Sequence, residues 1–437
     1  MGKLILLAVI LVTGLQTLRA PFVGAMAYYC LAIWGPQHIW WWNFEGLRVS
    51  FIVAITTICA LFIAFFRQGL KFDLLFSRIN ACVLILWISY VISYLFAPYV
   101  PLLGEVPYLT FIHFFKIVFF YFVAVLVLDD IQKQKYFSCI IIVAMLHLTW
   151  WANYQYLSQN WQAFNMGRLM GPTVPGGGSI YGDENTFAMF FVTAGPFLFY
   201  WGLYLARPVA RYAIWAVVPF AWHAVFLTGS RGGLVGLAAT LFAGVIFSKK
   251  RYLLICILIP LFLLAFYFQG GDLLKSRTET IVDFEGESSA EARLQAWRAA
   301  VEMVQAHPVT GVGIACFIQA MSDFSDKHPR STHSVPLQFA AEVGILGLVA
   351  YCLIVGFVLW QGFQNNRLLS IEELEIDEKE LALLHYLNEA SVVSFFGLSV
   401  CALFLSLNYY EVFYFLLIIA GYIRYHIHRK LMSHYQG

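Results

Sequence analysis

RVSFIVAITTICALFIAFFR, residues 48–67, holds eighteen uncharged residues between two arginines. As an α-helix such a run covers about 27 Å at 1.5 Å per residue, close to the roughly 30 Å hydrocarbon thickness of a bilayer. The stretch 48–66 therefore reads as a membrane-spanning helix. The same criterion finds further runs at 3–18, 21–35, 79–97, 106–128, 136–154, 185–206, 208–228, 232–248, 251–269, 335–361, 390–407 and 409–426. The first two share the Arg19-Ala20-Pro21 junction, so they form either two tilted spans or one hairpin that does not fully cross. An all-α polytopic membrane protein with 12–13 transmembrane helices is the predicted fold class.

Composition supports this. The 437 residues include 27 Lys or Arg and 25 Asp or Glu, 12% in all, against about 25% in an ordinary globular domain. With 61% hydrophobic residues and a mean hydropathy of +0.73, a soluble enzyme with a single anchor is excluded. A net charge of +2 gives no sign of nucleic-acid binding. Seven of the eight cysteines lie in apolar runs, where they act as small hydrophobes; only Cys316 falls in a polar loop, which argues against a disulfide framework.

Lys and Arg in the short connections set the orientation. Arg67, Lys71 and Arg78 share one connection; Lys133 and Lys135, Arg207 and Arg211, Lys249 to Arg251, and Arg424, Arg429 and Lys430 follow, each an even number of crossings apart. These are inner connections, and 98–105, 155–184, 229–231, 270–334 and 408 fall on the outer side. The chain thus divides into an N-terminal bundle, 1–269, with outer loop 155–184; a large outer loop, 270–334; and C-terminal helices, 335–437, with an acidic inner loop, 364–389.

A loop of 65 residues usually has structure or function of its own. Ser288-Ser289-Ala290-Glu291 has capping-box spacing and starts a predicted amphipathic helix on or near the membrane. Its apolar face would carry Leu294, Trp297, Val301 and Val304, and it would end before His307-Pro308. The 364–389 loop, with Glu372, Glu373, Glu375, Asp377, Glu378 and Glu380, reads as a solvated inner helix. The apolar N-terminus reads as a retained helix, having no small-residue cleavage site.

A few polar residues stand out. Arg231, in Gly229-Ser230-Arg231-Gly232-Gly233, either snorkels to lipid phosphates or, flanked by glycines whose amides can approach a ligand, grips a phosphate or diphosphate. Arg293 lies four residues before Trp297 with no oppositely charged residue at helical spacing downstream, whereas Arg298 is spaced to pair with Glu302. His333 stands at the mouth of the 335–361 run, placed either as a general base or as a hydrogen-bonding residue at a helix start; Gln338 and Glu342 add polar groups to the same helix. In the other outer loop, Arg168, the glycines 176–178, Asp183 and Asn185 suit a sugar or phosphate site, or a flexible loop ended by an Asp N-cap. Lys116, with His113, lies well inside an apolar run, and Glu411 just inside the last one, where ionisable groups pair or line a polar cavity. No His/Cys/Asp/Glu spacing resembles a zinc site, so no metal is expected.

Taken in order, Gly229-Ser230-Arg231-Gly232, Arg293 with Trp297, His307-Pro308 with Gly311-Val312-Gly313, and His333-Ser334 with Gln338, Glu342-Val343-Gly344 and Gly347 resemble the O-antigen ligase and polymerase superfamily. Pro21-Phe22-Val23-Gly24, Gly35-Pro36-Gln37-His38 with Trp40, and Lys116 resemble the subgroup of exosortase A-associated O-glycosylation ligases. The resemblance implies a GT-C-like glycosyltransferase of the bacterial inner membrane, without cofactor or metal. It would move a glycan from undecaprenyl diphosphate to a lipid, glycan or protein acceptor on the periplasmic face. It implies that Arg231 and Arg293 hold the donor diphosphate and that His333 activates the acceptor hydroxyl, with Arg168, Asp183, Asn185, Lys116 and Glu342 as candidate substrate-binding residues. Loop 270–334 would then be the periplasmic catalytic loop, and attack opposite the leaving group would invert the anomeric centre. A polymerase of the same superfamily is the nearest alternative. A transporter or flippase is an alternative from another class, against which stands the gathering of candidate residues at one outer face.

Overall fold

The computed structural model describes residues 2–174, 179–269, 288–326, 328–371, 376–405 and 409–436. All thirteen apolar runs form helix. Among the described residues ten helices are long and apolar enough to cross a membrane, and Phe22–Ile33 and Arg231–Phe247 are shorter apolar helices. At 12 residues, Phe22–Ile33 is only about 18 Å long. The chain is an all-α polytopic membrane protein. Its one sheet among the described residues is a hairpin pairing Phe164–Asn165 with Arg168–Leu169.

Local chemistry sets several helix starts. Ser77 accepts from the Asn80 N–H, Asp130 from Gln132, Asp183 from Asn185 and Thr186, and Ser230 from Gly233. In each case a short oxygen side chain satisfies a backbone donor left open by the first helical turn. Glu184–Tyr204 and Glu378–Ala402 are the most enclosed spans and pack on each other at the bundle centre. Val335–Leu368 lies against Arg78–Phe96, and Arg231–Phe247 against Glu378–Ala402.

The acidic inner loop differs from expectation. Val335–Leu368 runs on to residue 368, and the next helix already starts at Glu378, twelve residues before the apolar run at 390. Its first turn is exposed at Glu378 and Lys379, but from Leu383 onward it is buried in the bundle. Asn388 donates to the carbonyl of Gly362 at 3.0 Å and to Asn366 Oδ1 at 2.9 Å, and Asn365 donates to Asn388 Oδ1 at 3.1 Å. Buried Glu389 accepts from Tyr204 Oη at 2.9 Å and Ser248 Oγ at 2.7 Å. Paired polar groups inside a bundle are stable where lone ones are not, and hydropathy counts them as outside. Glu372, Glu373 and Glu375 lie outside the described residues.

The outer end, opposite the Lys- and Arg-rich connections, carries a small core of its own. Ala296, Ala299, Ala300 and Met303 from the Ser288–Ala306 helix pack with Val312, Cys316, Phe317, Ala320 and Met321, beside Tyr99, Val100 and Leu103. Leu294 and Val301 are exposed, while small alanines face inward because they let the neighbouring backbone approach closely. Cys316 is fully buried rather than in a polar loop, and all eight cysteines are unbonded.

Beneath this core the Val335–Leu368 helix is broken at Gly344, where φ is 78° and ψ −177°. Three hydrogen bonds cross the break: Val312 N to Ala341 O at 2.8 Å, Gly313 N to Glu342 O at 3.2 Å, and Ile345 N to Pro308 O at 2.9 Å. A Cβ on Gly344 would collide with the Val309 carbonyl oxygen and sit 2.7 Å from that of Pro308; one on Gly311 would meet the Ala341 carbonyl oxygen at 2.5 Å. The His307-Pro308 and Gly311-Val312-Gly313 motifs are thus the place where the outer segment and a membrane helix cross backbone to backbone.

Candidate functional site

The Gly229-Ser230-Arg231 turn joins two membrane helices at the outer end. Gly229 closes the first helix at φ 60°, and Ser230 caps the second, its Oγ accepting from the Gly233 N–H at 3.1 Å. The Ser230 N–H itself donates to Thr228 Oγ1 at 3.2 Å. Two of the amides expected to be open to a ligand are therefore engaged within the turn. Arg231 is the first residue of its helix and half-buried.

Ser230 Oγ also donates to Asn185 Oδ1 at 2.7 Å, which fastens this turn to the start of the central Glu184–Tyr204 helix. Asp183, the N-cap of that helix, is exposed and lies close enough for its charge to act on His333. Asn185 thus touches the turn that carries Arg231, and Asp183 acts on His333. Arg168 is committed elsewhere: its guanidinium pairs with the Glu184 carboxylate and ties the hairpin to the helix start. The glycines 176–178 lie outside the described residues.

From the other side, Trp297 Nε1 donates to the Thr332 carbonyl at 2.8 Å and docks the Ser288–Ala306 helix onto the segment carrying His333. The side chains of the expected capping box at 288–290 lie outside the described residues. Thr332 Oγ1 accepts from the Ser334 N–H at 3.2 Å, making a tight turn in which His333 takes the left-handed value φ 46°. A non-glycine residue in that region is uncommon and marks a constrained position. Ser331 Oγ lies 3.0 Å from His333 Nε2 and orients the ring.

The electrostatics of His333 define the site. Burial lowers its pKa below the usual imidazole value, Arg293 and Arg330 push it further down, and Asp183 works against them. A neutral imidazole close to guanidinium groups can accept a proton near neutral pH. Arg293 is half-buried. Arg298 is exposed, and among the described residues it makes no ion pair with Glu302; an exposed pair of this kind gains too little to hold two long side chains together. Arg330 was not anticipated; its position three residues before His333 is the one signal the sequence held.

Two candidates sit elsewhere. Glu342 is 2% exposed; its Oε1 accepts from Gln338 Nε2 at 3.2 Å, while its Oε2 is buried without a hydrogen-bond partner. Its carbonyl accepts from Ser93 Oγ at 2.7 Å. The same carbonyl accepts from the Gly313 N–H at 3.2 Å, so the Glu342 backbone helps hold the outer segment to the broken helix. Lys116 is exposed beside His113, which lies 4.0 Å from Glu411 and against the Tyr409 ring. It thus belongs to a separate polar group among the membrane helices. Among the described residues no group of three His, Cys, Asp or Glu is placed to hold a metal ion.

Comparison with known proteins bears on the same residues. No curated protein matches the chain. Residues 213–352 match the model of the O-antigen ligase family, about a third of the chain, and that stretch includes Arg231, Arg293, Arg330 and His333. Over this region the chain is similar to O-antigen ligases, a likeness that supports a polytopic membrane enzyme of the ligase or polymerase type.

Proposed function

We propose that the protein is a GT-C-like, O-antigen ligase-like glycosyltransferase of the bacterial inner membrane. It would move a glycan from undecaprenyl diphosphate to an acceptor hydroxyl on the periplasmic face. Its support is the convergence, at one end of the bundle and inside the family-matched stretch, of Arg293 and Arg330 with a histidine whose pKa is lowered by burial and by these two cations. In this reading His333 takes the proton of the acceptor hydroxyl. The acceptor oxygen attacks the anomeric carbon, the bond from that carbon to the phosphate oxygen breaks, and its electron pair leaves on the diphosphate.

Arg231 and Arg293 hold that diphosphate, and their fixed charges favour the transition state, in which negative charge grows on the leaving oxygens. Asp183, across from His333, favours the imidazolium as it forms. Attack from the side opposite the diphosphate inverts the anomeric centre. A polymerase would use the same donor chemistry with a second lipid-linked glycan as acceptor.

The test is transfer by purified protein in lipid nanodiscs supplied with lipid-diphosphate donor and candidate acceptors. His333→Ala and Arg231→Ala should each abolish product, since a general base alone contributes about 10²–10⁴ in rate. Added chelator should leave the rate unchanged. Near-normal transfer by His333→Ala protein would remove the base assignment.

A further inference from the structure

A second outer feature lies beside this site. Residues of segments 38–41 and 151–173, together with Gly182, line a cavity of about 550 Å³, within the roughly 300–1,000 Å³ of ordinary ligand pockets. Trp41 and Trp151 bring indole rings to it, and Gln155, Asn160 and Gln162 bring carboxamides. Asn160 Nδ2 donates to Gln155 Oε1 at 2.7 Å, so two of these amides are held as a pair.

His38 completes the wall. Burial lowers its pKa and keeps it uncharged, and its Nδ1 is buried without a hydrogen-bond partner. No Asp, Glu, Lys or Arg is found among the described residues lining the cavity. Gly171, also in the lining, donates its N–H to the Tyr181 carbonyl at 2.8 Å, and Tyr181 Oη donates to the Ile33 carbonyl at 2.5 Å. The wall is therefore tied to a membrane helix rather than left as a free loop.

This chemistry selects its ligand. A diphosphate or uronic acid would need guanidinium or ammonium partners, and the lining supplies none. A neutral pyranose has an apolar C–H face that stacks on an indole, and a rim of hydroxyls that both give and accept hydrogen bonds with carboxamides. Gly182 belongs to the lining and is followed by Asp183, whose charge reaches His333.

We propose that this cavity binds neutral sugar residues of the glycan undergoing transfer and holds them next to the arginine and histidine group. The inference rests on the transfer reading above for its purpose, but sugar binding can be measured apart from transfer. The probe is a panel of neutral and uronic-acid-containing tri- to hexasaccharides, titrated against the full-length protein in nanodiscs and followed by saturation-transfer-difference NMR. Neutral members should bind, and Trp41→Ala and Gln162→Ala should each weaken them by about tenfold. Trp42→Ala, next door but outside the lining, should not. Arg231→Gln should keep sugar binding while losing transfer.

Binding by no neutral member, preference for acidic ones, or equal effects of Trp41→Ala and Trp42→Ala would overturn the assignment. If sugars bind as stated while His333→Ala protein still transfers glycan, the transfer reading falls and the cavity stands. Donor and acceptor sugars are separated kinetically. Trp41→Ala raises KM for the full-length-glycan donor in the first case and KM for the acceptor in the second; no change in either overturns the proposal.

Discussion

Replacing Gly344 by alanine tests how the outer segment is fastened to the membrane helix. At φ 78° and ψ −177° the backbone lies where side-chain-bearing residues cost about 1–3 kcal/mol. The new Cβ would also collide with the Val309 carbonyl oxygen and press on that of Pro308 at 2.7 Å, and overpacking of this kind costs about 1–3 kcal/mol more. Both oxygens are backbone atoms of the crossing strand, so relief must come from separating the two chains. That puts at risk the three crossing hydrogen bonds, each worth about 1 kcal/mol net. Strain and overpacking together give a destabilisation of about 2–6 kcal/mol, and loss of the hydrogen bonds would raise it to about 9 kcal/mol.

Gly356, in the same helix with nothing within 4 Å of a Cβ, is the internal control. Gly356→Ala should be neutral or stabilising by about 0.5–1 kcal/mol, since alanine is the better helix former. Denaturant unfolding of the two proteins in the same nanodiscs, followed by hydrogen exchange at 308–313 and 341–345, measures the difference. Gly344→Ala should lose protection on both sides of the crossing, whereas Gly356→Ala should not. Stability of Gly344→Ala within about 0.5 kcal/mol of Gly356→Ala would refute the account of the break.

Other outcomes follow from the site. The lowered pKa of His333 leaves its imidazole neutral below the pH at which an ordinary histidine is half protonated, so transfer should persist into mildly acidic buffer and fail only when His333 takes up a proton. Arg330→Gln removes one cation that lowers that pKa, so the acid limb of the pH–rate profile should move to higher pH; an unmoved limb would sever Arg330 from His333. Arg168→Ala and Glu184→Gln should each cost about 1–3 kcal/mol and expose the 163–170 hairpin to protease, and the double variant should add little, as a double-mutant cycle would show. Arg298→Ala should leave transfer within about twofold of normal, because an exposed, unpaired side chain contributes little.

Much of the molecule was legible in its sequence because the bilayer imposes a simple rule. A backbone in hydrocarbon must satisfy its own hydrogen bonds, so long apolar runs become helices, and all thirteen did. Asp183, Asn185, Arg231, Arg293 and His333 were legible for a related reason: polar groups are scarce enough in this chain for each to stand out. Polar residues whose partners lie far along the chain were not legible. Glu389 and Asn388 looked like part of a solvated loop because Tyr204, Ser248 and Asn366, which satisfy them, lie far away along the chain.

The sequence by itself determined helices, their number to within the short ones, the alternation of basic connections, and which rare charges merited attention. Tertiary structure alone decided that Arg168 is spent on Glu184, that Arg330 joins Arg293 beside His333, that two tryptophans and three amides enclose an uncharged cavity, and that a helix breaks at Gly344 to let another segment cross. The physical reason is the range of the forces. Hydropathy acts residue by residue along the chain, whereas ion pairs, pKa shifts, cavities and backbone crossings exist only between groups that folding brings together.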